Sequence, residues 1–325
     1  MAQKVMWAGR GTGGAAGNDG DKPGSPGEPT DVHRRRIAAE IESRINRLPP
    51  FPTVLSELIG LTSSATSAAA DLRTCIEKDA VLAARILKLA NSAFYCPKVP
   101  VASVQQAVVM LGHLSVKSLA MAAATLKFLG RETTSYGMTP GGLWMHSYAV
   151  AELARDLAGS LSWPDESRDA VHVGALLHDI GKIVLEEILP QAAREGGGPE
   201  RLVEQRAVEQ WEDELTGFTH SAVGRTIAEK WQLAPLTTHC IAFHHGWNTA
   251  LPDYATEVTL VSLADAGAHR LGIGLEEPDE DPEREHRMLE ILGVSEEQYS
   301  ETLERWREKI EDAGSLFSQM RDESE

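Results

Sequence analysis

Apolar residues recur every three to four positions along most of the chain, which is the period of an amphipathic helix. Ile37, Ile41 and Ile45 keep this period until the proline-rich segment LPPFP at 48–52 interrupts it. Further helices are predicted from Thr53, over TSAAADLRTCIEKD, over DAVLAARILKLANSAFY, over VQQAVVMLG behind a Ser103–Gln106 capping box, and from Ser115 to Leu129. β-branched residues nowhere alternate with polar ones for long enough to indicate a sheet. The pattern predicts an all-α fold.

The loop RETTSYGMTPGG separates these helices from a second group. In that group the apolar period predicts helices at about 143–159, 166–179, 183–194, 200–213, 219–231, 235–246 and 256–271. Residues 1–31, by contrast, are rich in Gly, Pro, Ser and Asp and carry few apolar side chains. Such a segment cannot offset its ordering entropy, so we expect it to be disordered.

Charge is concentrated at the carboxyl end. Residues 276–325 contain 18 acidic and 6 basic residues, a net charge of −12 out of −17 for the whole chain. We predict an acidic linker followed by a C-terminal helix capped by Ser295, with Glu296 and Glu297 in its first turn. The one basic cluster is Arg34 to Arg36, so direct nucleic-acid binding is not expected.

The longest apolar stretches, such as LAMAAATL from Leu119, are much shorter than the roughly 20 residues of a membrane span. The first 20 residues also lack the apolar core of a secretory signal. Cys75, Cys96 and Cys240 are scattered and form no CxxC pair, which fits a reducing compartment. These features predict a cytoplasmic protein with no membrane segment.

The segment LLHDIGK, residues 176–182, ends an apolar run with four polar or small residues. Part of it is explained as a helix C-terminus, in which Gly181 supplies a left-handed cap and Lys182 faces the negative end of the dipole. That explanation leaves His178 and Asp179 without a role, so partners must lie elsewhere in the chain.

Polar side chains recur on the apolar faces of several predicted helices. Those on inward-facing stripes are His146, His178, His220, His245 and Asp265. A single histidine in such a position is usually a hydrogen-bonded core residue. Several together need a shared explanation, because each unpaired buried polar group costs roughly 1–3 kcal/mol. A common metal ion would supply one.

The order of these residues resembles the H…HD…H…HH…D signature of the HD superfamily of metal-dependent phosphohydrolases. In this chain the signature is carried by His146, His178-Asp179, His220, His244-His245 and Asp265. LPPFPTVLSELI, KDAVLAARILKLANSAFY, VASVQQAVVMLGHLSVKSLAM and FTHSAVGRTIAEKWQLAPLTTHCIAFHH are similar to the HDOD domain, the HD-related output domain of bacterial signalling proteins. The resemblance covers about residues 45–250, with a helical continuation over 251–275.

The resemblance implies an N-terminal helical lobe, an HD-like lobe and a role in signal transduction beside a protein partner. It further implies that His146, His178, Asp179 and Asp265 hold one divalent ion. A second ion would be held by His220, His244 and His245, with Asp179 bridging the two. The ligand types suit Fe, Mn, Zn or Ni. Lys182 could then hold a phosphate oxygen of a nucleotide or cyclic dinucleotide. The segment GFTHSAVG contains no GYP motif, which argues against hydrolysis of cyclic di-GMP.

The same residues have a second interpretation, a vestigial core in which histidines and aspartates hydrogen-bond one another without metal. HDOD domains are generally regarded as regulatory, yet this sequence keeps all seven ligand positions. The sequence favours a regulatory module that acts through protein contacts. The alternative is a metal-dependent phosphohydrolase.

Overall fold

The computed structural model describes residues 31–61, 65–92, 97, 99–196, 207–274 and 283–307. These ranges contain fifteen complete α-helices, three 3-10 turns and one isolated bridge between Thr133 and Met138, with no strand. The predicted all-α fold is confirmed. The predictions for residues 1–30, 200–206, 276–282 and 308–325 fall outside the described residues. Within the described part, no helix is both long and apolar enough to cross a bilayer.

The first helices of the chain are α1 (Asp31–Arg47), α2 (Thr53–Gly60), α3 (Ala65–Glu77), α4 (Ala80–Ala90), α5 (Val104–Leu111) and α6 (His113–Leu129). Helices α2 to α5 pack around α6, whose alanine-rich surface is buried on most sides. Asp79 caps α4 by accepting hydrogen bonds from the amides of Val81 and Leu82. These five helices form the N-terminal lobe.

The capping box predicted at α5 is half correct. Ser103 Oγ accepts the hydrogen bond of the Gln106 amide, as expected. The Gln106 side chain does not return to Ser103, because its Oε1 accepts from the amide of Ala102 instead.

The HD-like lobe comprises α7 (Gly142–Ser160), α8 (Asp165–Leu177), α9 (Lys182–Leu185), α10 (Leu189–Gly196), α11 (Val208–Thr216), α12 (His220–Lys230), α13 (Pro235–Phe243) and α14 (Ala255–Arg270). Helix α8 lies between α7 and α13, and α14 packs along α7. The α1 helix belongs to this lobe by its contacts, since it packs on α9, α11 and α12. Its predicted face of Ile37, Ile41 and Ile45 is buried.

Four predicted helices end earlier or divide. The helix predicted over DAVLAARILKLANSAFY ends at Ala90. The helix predicted at 166–179 ends at Leu177, and that at 235–246 ends at Phe243. The helix predicted at 183–194 is two short helices, α9 and α10. Pro190 explains the division, because a proline inside a continuous helix would remove the hydrogen bond to Glu186, whereas it is tolerated in the first turn of α10.

The carboxyl-terminal segment packs on the HD-like lobe. Helix α15 (Arg284–Leu292) lies against α14, and a further helix is described over 296–307. Ser295 caps that helix as predicted, and Gln298 Oε1 accepts from the Ser295 amide in return. Tyr299 Oη donates to Leu263 O at 3.0 Å and Trp306 Nε1 to Asp156 at 2.8 Å. These contacts fix the described part of the tail to the lobe.

A buried polar network joins the two lobes. Glu152 on α7 accepts hydrogen bonds from Ser118 on α6 and from Arg155, and its Oε1 lies 3.2 Å from His172 Nε2 on α8. Burial opposes ionisation of this carboxyl, but Arg155 and His172 outweigh it and hold the pKa of Glu152 at about 2. The carboxylate therefore ties three helices together as an anion.

Glu152 should make stability depend on pH. Because its folded-state pKa lies below the ordinary value of 4.5, its contribution is complete above pH 4.5 and is lost as the pH falls toward 2. Glu152→Gln should lower the free energy of unfolding at pH 7 by on the order of 3 kcal/mol. The difference from wild type should shrink below pH 4.5 in denaturant titrations. Glu42→Gln, an exposed change on α1, is the control. A difference that stays constant with pH would contradict this.

Candidate dinuclear metal site

The seven residues of the predicted signature converge at the centre of the HD-like lobe. His146 lies on α7 and Asp265 on α14, while His178 and Asp179 occupy the turn after α8. His220 is the first residue of α12, and His244 and His245 follow the end of α13. All except His245 are at most 4% exposed. Helix ends supply five of the seven, which places their side chains where backbone groups are free to hold them.

The first cluster contains His146, His178, Asp179 and Asp265. His146 Nε2 lies 3.2 Å from His178 Nε2, 3.1 Å from Asp265 Oδ1 and 3.6 Å from Asp179 Oδ2. His178 Nε2 lies 3.4 Å from Asp179 Oδ2 and 3.7 Å from Asp265 Oδ1. Two donors about 2.1 Å from one ion, at octahedral to tetrahedral angles, are separated by roughly 3.0–3.4 Å. The spacing therefore suits a single ion.

The second cluster contains His220, His244 and His245. His220 Nε2 lies 3.1 Å from His244 Nε2 and 3.2 Å from His245 Nε2. Asp179 links the clusters, because its Oδ1 lies 3.2 Å from His220 Nε2 and 3.8 Å from His244 Nε2 while its Oδ2 faces the first cluster. One carboxylate is thus shared between two groups of nitrogen donors.

The outer ring nitrogens determine the tautomer of four histidines. Each Nδ1 faces an oxygen that can only accept a hydrogen bond, so Nδ1 carries the proton. The acceptors are Ile273 O for His146, Ala175 O for His178, the Glu212 carboxylate for His220 and Ile241 O for His244, at 2.7–3.0 Å. In the neutral rings, Nε2 is consequently a bare lone pair. This arrangement is typical of metal-binding histidines.

Bare lone pairs at these distances repel one another. His146 and His178 point their Nε2 atoms at each other, as do His220 and His244, and neither atom of a neutral pair can donate. Without a metal ion a proton has to join each pair, in agreement with the pKa of His178, which Asp179 raises against burial, and with the raised pKa of His220. In addition, Asp179 Oδ1 and Asp265 Oδ1 are buried and accept no hydrogen bond within the described part of the chain. A cation at each cluster removes both conflicts. The donor set of imidazoles and carboxylates fits divalent Fe, Mn, Zn or Ni.

The charges of the cluster point the same way. Burial raises the pKa of Asp179, but Lys182 and His178 outweigh it and hold that pKa well below its usual range. The pKa of Asp265 is also held low against burial, chiefly by His269. Burial and the neighbouring imidazoles lower the pKa of both His244 and His245. Two buried anions favour a bound cation, which can be a metal ion or, in its absence, the protons of His178 and His220, whose pKa values are raised by Asp179 and Glu212 against burial.

Lys182 lies beside the cluster rather than opposite a helix C-terminus. Its Nζ donates to Asp179 Oδ2 at 2.7 Å and lies 5.7 Å from the centre of the Tyr136 ring. The side chain is 2% exposed. The predicted pairing with the helix dipole is therefore replaced by an ion pair with the shared carboxylate.

The role predicted for Gly181 is wrong. Its backbone is right-handed helical, with φ −64° and ψ −28°, so no left-handed cap forms. The glycine is needed because a Cβ would lie 1.9 Å from the carbonyl oxygen of His220. The turn that carries His178 and Asp179 thus packs directly on the backbone of α12.

Two residues that the sequence did not reveal hold His220 in place. Glu212 on α11 accepts from the backbone amide of His220 at 2.7 Å and from its Nδ1 at 2.9 Å. Tyr136 Oη donates to the same carboxylate at 2.6 Å. Burial alone would lower the pKa of His220, but Glu212 raises it to about 9. Glu212 could have been found in the sequence as an acidic residue on the apolar face between Val208 and Leu215. Tyr136 lies in a loop, where no sequence pattern marks it.

Comparison with known proteins agrees with this fold. The HDOD domain family model matches residues 48–247, and the chain belongs to this family. The chain is also 24% identical over 234 residues to an uncharacterized protein of Treponema pallidum (strain Nichols), a match that covers 70% of this chain and 44% of the relative. The chain thus spans less than half the length of that relative.

Solved structures share the fold. An HDOD domain protein of unknown function from Geobacter sulfurreducens has a TM-score of 0.68 at 23% identity, covering 89% of this chain and 99% of that one. A candidate signal transduction protein from Marinobacter aquaeolei VT8 has a TM-score of 0.69 at 22% identity, covering 89% and 66%. A candidate phosphohydrolase from Shewanella amazonensis SB2B has a TM-score of 0.61 at 21% identity, covering 87% and 98%.

The close packing at Gly181 gives a stability prediction. Gly181→Ala should lower the free energy of unfolding by about 3 kcal/mol or more, because the methyl group meets rigid backbone. Gly60→Ala is the matched control, since nothing lies within 4 Å of its Cβ at the end of α2, and it should be neutral or slightly stabilising. Equal stability of the two variants in urea titrations would show that α12 can move away from the turn.

Glu212 should affect metal affinity through His220. Glu212→Gln keeps the volume but removes the charge that orients and polarises this imidazole. We expect metal affinity to fall by about 10–100-fold, as for other partners of metal-bound histidines. Isothermal titration of metal-free protein with Mn²⁺ or Zn²⁺ measures the change. Glu209→Gln, on the same helix, is the control, and equal affinities for the two variants would refute the role of Glu212.

Proposed function

We propose that this protein is a signalling protein of the HDOD family whose HD-like lobe binds two divalent ions and hydrolyses a phosphate ester. The observation that carries the proposal is the pair of facing Nε2 lone pairs in each cluster, with Asp179 between them. A structural core could avoid this conflict by using other tautomers. Here backbone and carboxylate acceptors fix the outer nitrogens of four histidines, so within the clusters only an added proton or His245, whose Nε2 lies 3.2 Å from His220 Nε2, could supply a hydrogen bond.

The chemistry proposed for the site follows from its donors. Two bound divalent ions would lower the pKa of a water and neutralise charge on phosphoryl oxygens. Asp179 would contribute a carboxylate oxygen to each of the two ions. Lys182 fixes the orientation of Asp179 and adds a positive charge that favours an anionic substrate. We propose a nucleotide or cyclic dinucleotide as the substrate class. The Shewanella structure, named as a candidate phosphohydrolase, supports hydrolysis of a phosphate ester in general.

Access to the site would be from the side of His245 and His269, which are partly exposed while the other donors are buried. Access between these two partly exposed side chains suits the phosphate group of a small ester. The burial of the other donors also supports a second candidate function, a regulatory module in which the ions are structural and a protein partner binds the surface of the lobe. The name of the Marinobacter structure fits that candidate.

Metal analysis and hydrolysis assays separate the two candidates. Protein loaded with Mn²⁺ or Fe²⁺ under reducing conditions should retain about two ions per chain after desalting, and Asp179→Asn should retain fewer because both ions lose a donor. The wild type should hydrolyse bis(p-nitrophenyl) phosphate or a nucleotide ester, and Asp179→Asn should be at least about 100-fold slower. Asp253→Asn, exposed in a 3-10 turn, is the control.

The possible outcomes lead to different conclusions. Two bound ions without hydrolysis across cyclic dinucleotides, nucleoside phosphates and the nitrophenyl ester would favour the regulatory candidate. Absence of bound metal in the wild type would overturn both the enzymatic proposal and the assignment of the ligands.

A further inference from the structure

His269 lies beside the first cluster, although it is outside the seven-residue signature. It follows Asp265 by one turn of α14, and its Nε2 is 3.7 Å from Asp265 Oδ1. That separation equals the distance from His178 Nε2 to the same oxygen. Because Asp265 Oδ1 accepts no hydrogen bond from any described residue, it is available to an ion that would also be within reach of His269.

The ring of His269 is held against a donor of the first cluster. It stacks on His146 with ring centres 4.9 Å apart and planes inclined by 16°. Candidate ligand atoms of His146, Asp265 and His269 all lie within 4.8 Å of one another. His146 Nε2 is shared with His178 and Asp179, so His269 adds a donor to that cluster and does not form a separate one.

The backbone after α14 fixes both rings. Gly274 has φ +122°, and a Cβ there would lie 2.7 Å from His146 Nδ1 and 2.8 Å from His269 Cδ2. The preceding carbonyl, of Ile273, is the acceptor of His146 Nδ1. A side chain at position 274 would therefore displace one ring or the other, which explains the glycine.

His269 differs from the other histidines of the first cluster in its anchoring. His146 and His178 each donate Nδ1–H to a backbone carbonyl, whereas no such hydrogen bond of His269 is found among the described residues. Its side chain is 17% exposed, while that of His146 is 1% exposed. His269 thus stands at the solvent edge of the cluster, and no hydrogen bond of its Nδ1 to a backbone carbonyl fixes its tautomer among the described residues.

We propose that His269 is a fifth protein donor to the ion of the first cluster, and this inference rests on the two-metal function proposed above. The first ion would then have five donors: His146, His178, Asp179, Asp265 and His269. The second would have four: His220, His244, His245 and Asp179. For six-coordinate ions, one position is left at the first site and two at the second. The first ion is therefore the more tightly held, and the second is the one with room for substrate.

Cobalt substitution tests the proposal without an activity assay. The full chain is loaded with Co²⁺ as wild type, as His269→Ala and as the control His286→Ala, which removes an exposed imidazole. We expect His269→Ala to lower the affinity of the tighter site by about 10–100-fold in chelator competition. Its visible absorption should intensify, because cobalt bands strengthen as the coordination number falls. His286→Ala should match the wild type in both measurements.

Added imidazole provides a second, more specific readout. If His269 is a ligand, millimolar imidazole should restore the wild-type spectrum of His269→Ala by filling the vacated position. His269→Gln keeps most of the volume and serves where the alanine variant fails to fold, with circular dichroism as the check on folding. Imidazole that enters positions left open by the protein should change the spectra of the wild type and His286→Ala to the same extent, so the readout is the additional change in His269→Ala.

The failure of this inference differs from the failure of the proposed function. If the wild type binds two cobalt ions and His269 variants keep the same affinities and spectra, His269 only packs on His146, and the two-metal function stands. A variant that loses stability without losing affinity leads to the same conclusion. If the wild type binds no cobalt, both proposals are overturned.

Discussion

The HD-like lobe is organised around one buried arrangement, in which the inner ring nitrogens of several histidines surround a single carboxylate. Asp179 contributes one oxygen to each of two histidine clusters, in an interior where an unpaired charge or lone pair is costly. Positive charge from protons or from metal ions compensates such an arrangement. Lys182 supplies one positive charge through a 2.7 Å contact with Asp179.

Helix ends make this arrangement possible. His178, His220 and His244 all occur where a helix begins or stops, and their outer nitrogens are satisfied by nearby backbone carbonyls or by Glu212. The turn after α8 and the start of α12 come so close that position 181 has no room for a side chain. Rigid backbone, not flexible side chains, therefore sets the distance between the two clusters.

The two lobes are joined through the same helix that leads into the site. Helix α8 ends one residue before His178, and it carries His172 in the Glu152 network and Asp169 in a buried ion pair with Lys117 of α6. Lys117 Nζ also donates to Leu61 O at the end of α2. The N-terminal lobe thus contacts the helix that leads into His178 and Asp179.

The sequence by itself determined the helical fold and the identity of the seven signature residues. Helical periodicity is a local property of the sequence. The buried face of α1 could therefore be predicted from the spacing of Ile37, Ile41 and Ile45, and the helix cap from Ser295. The spacing of the histidines and aspartates identified the cluster, because each of these residue types is rare on the apolar face of a helix. Tertiary structure alone decided which residues contact these side chains. Glu212 and Tyr136 approach His220 from other segments of the chain. His269 lies against His146 because the backbone at Gly274 leaves no other room for the two rings. The reason for Gly181 was likewise hidden, since it lies in a contact with the backbone of α12, and no local pattern encodes a distance between two segments of the chain.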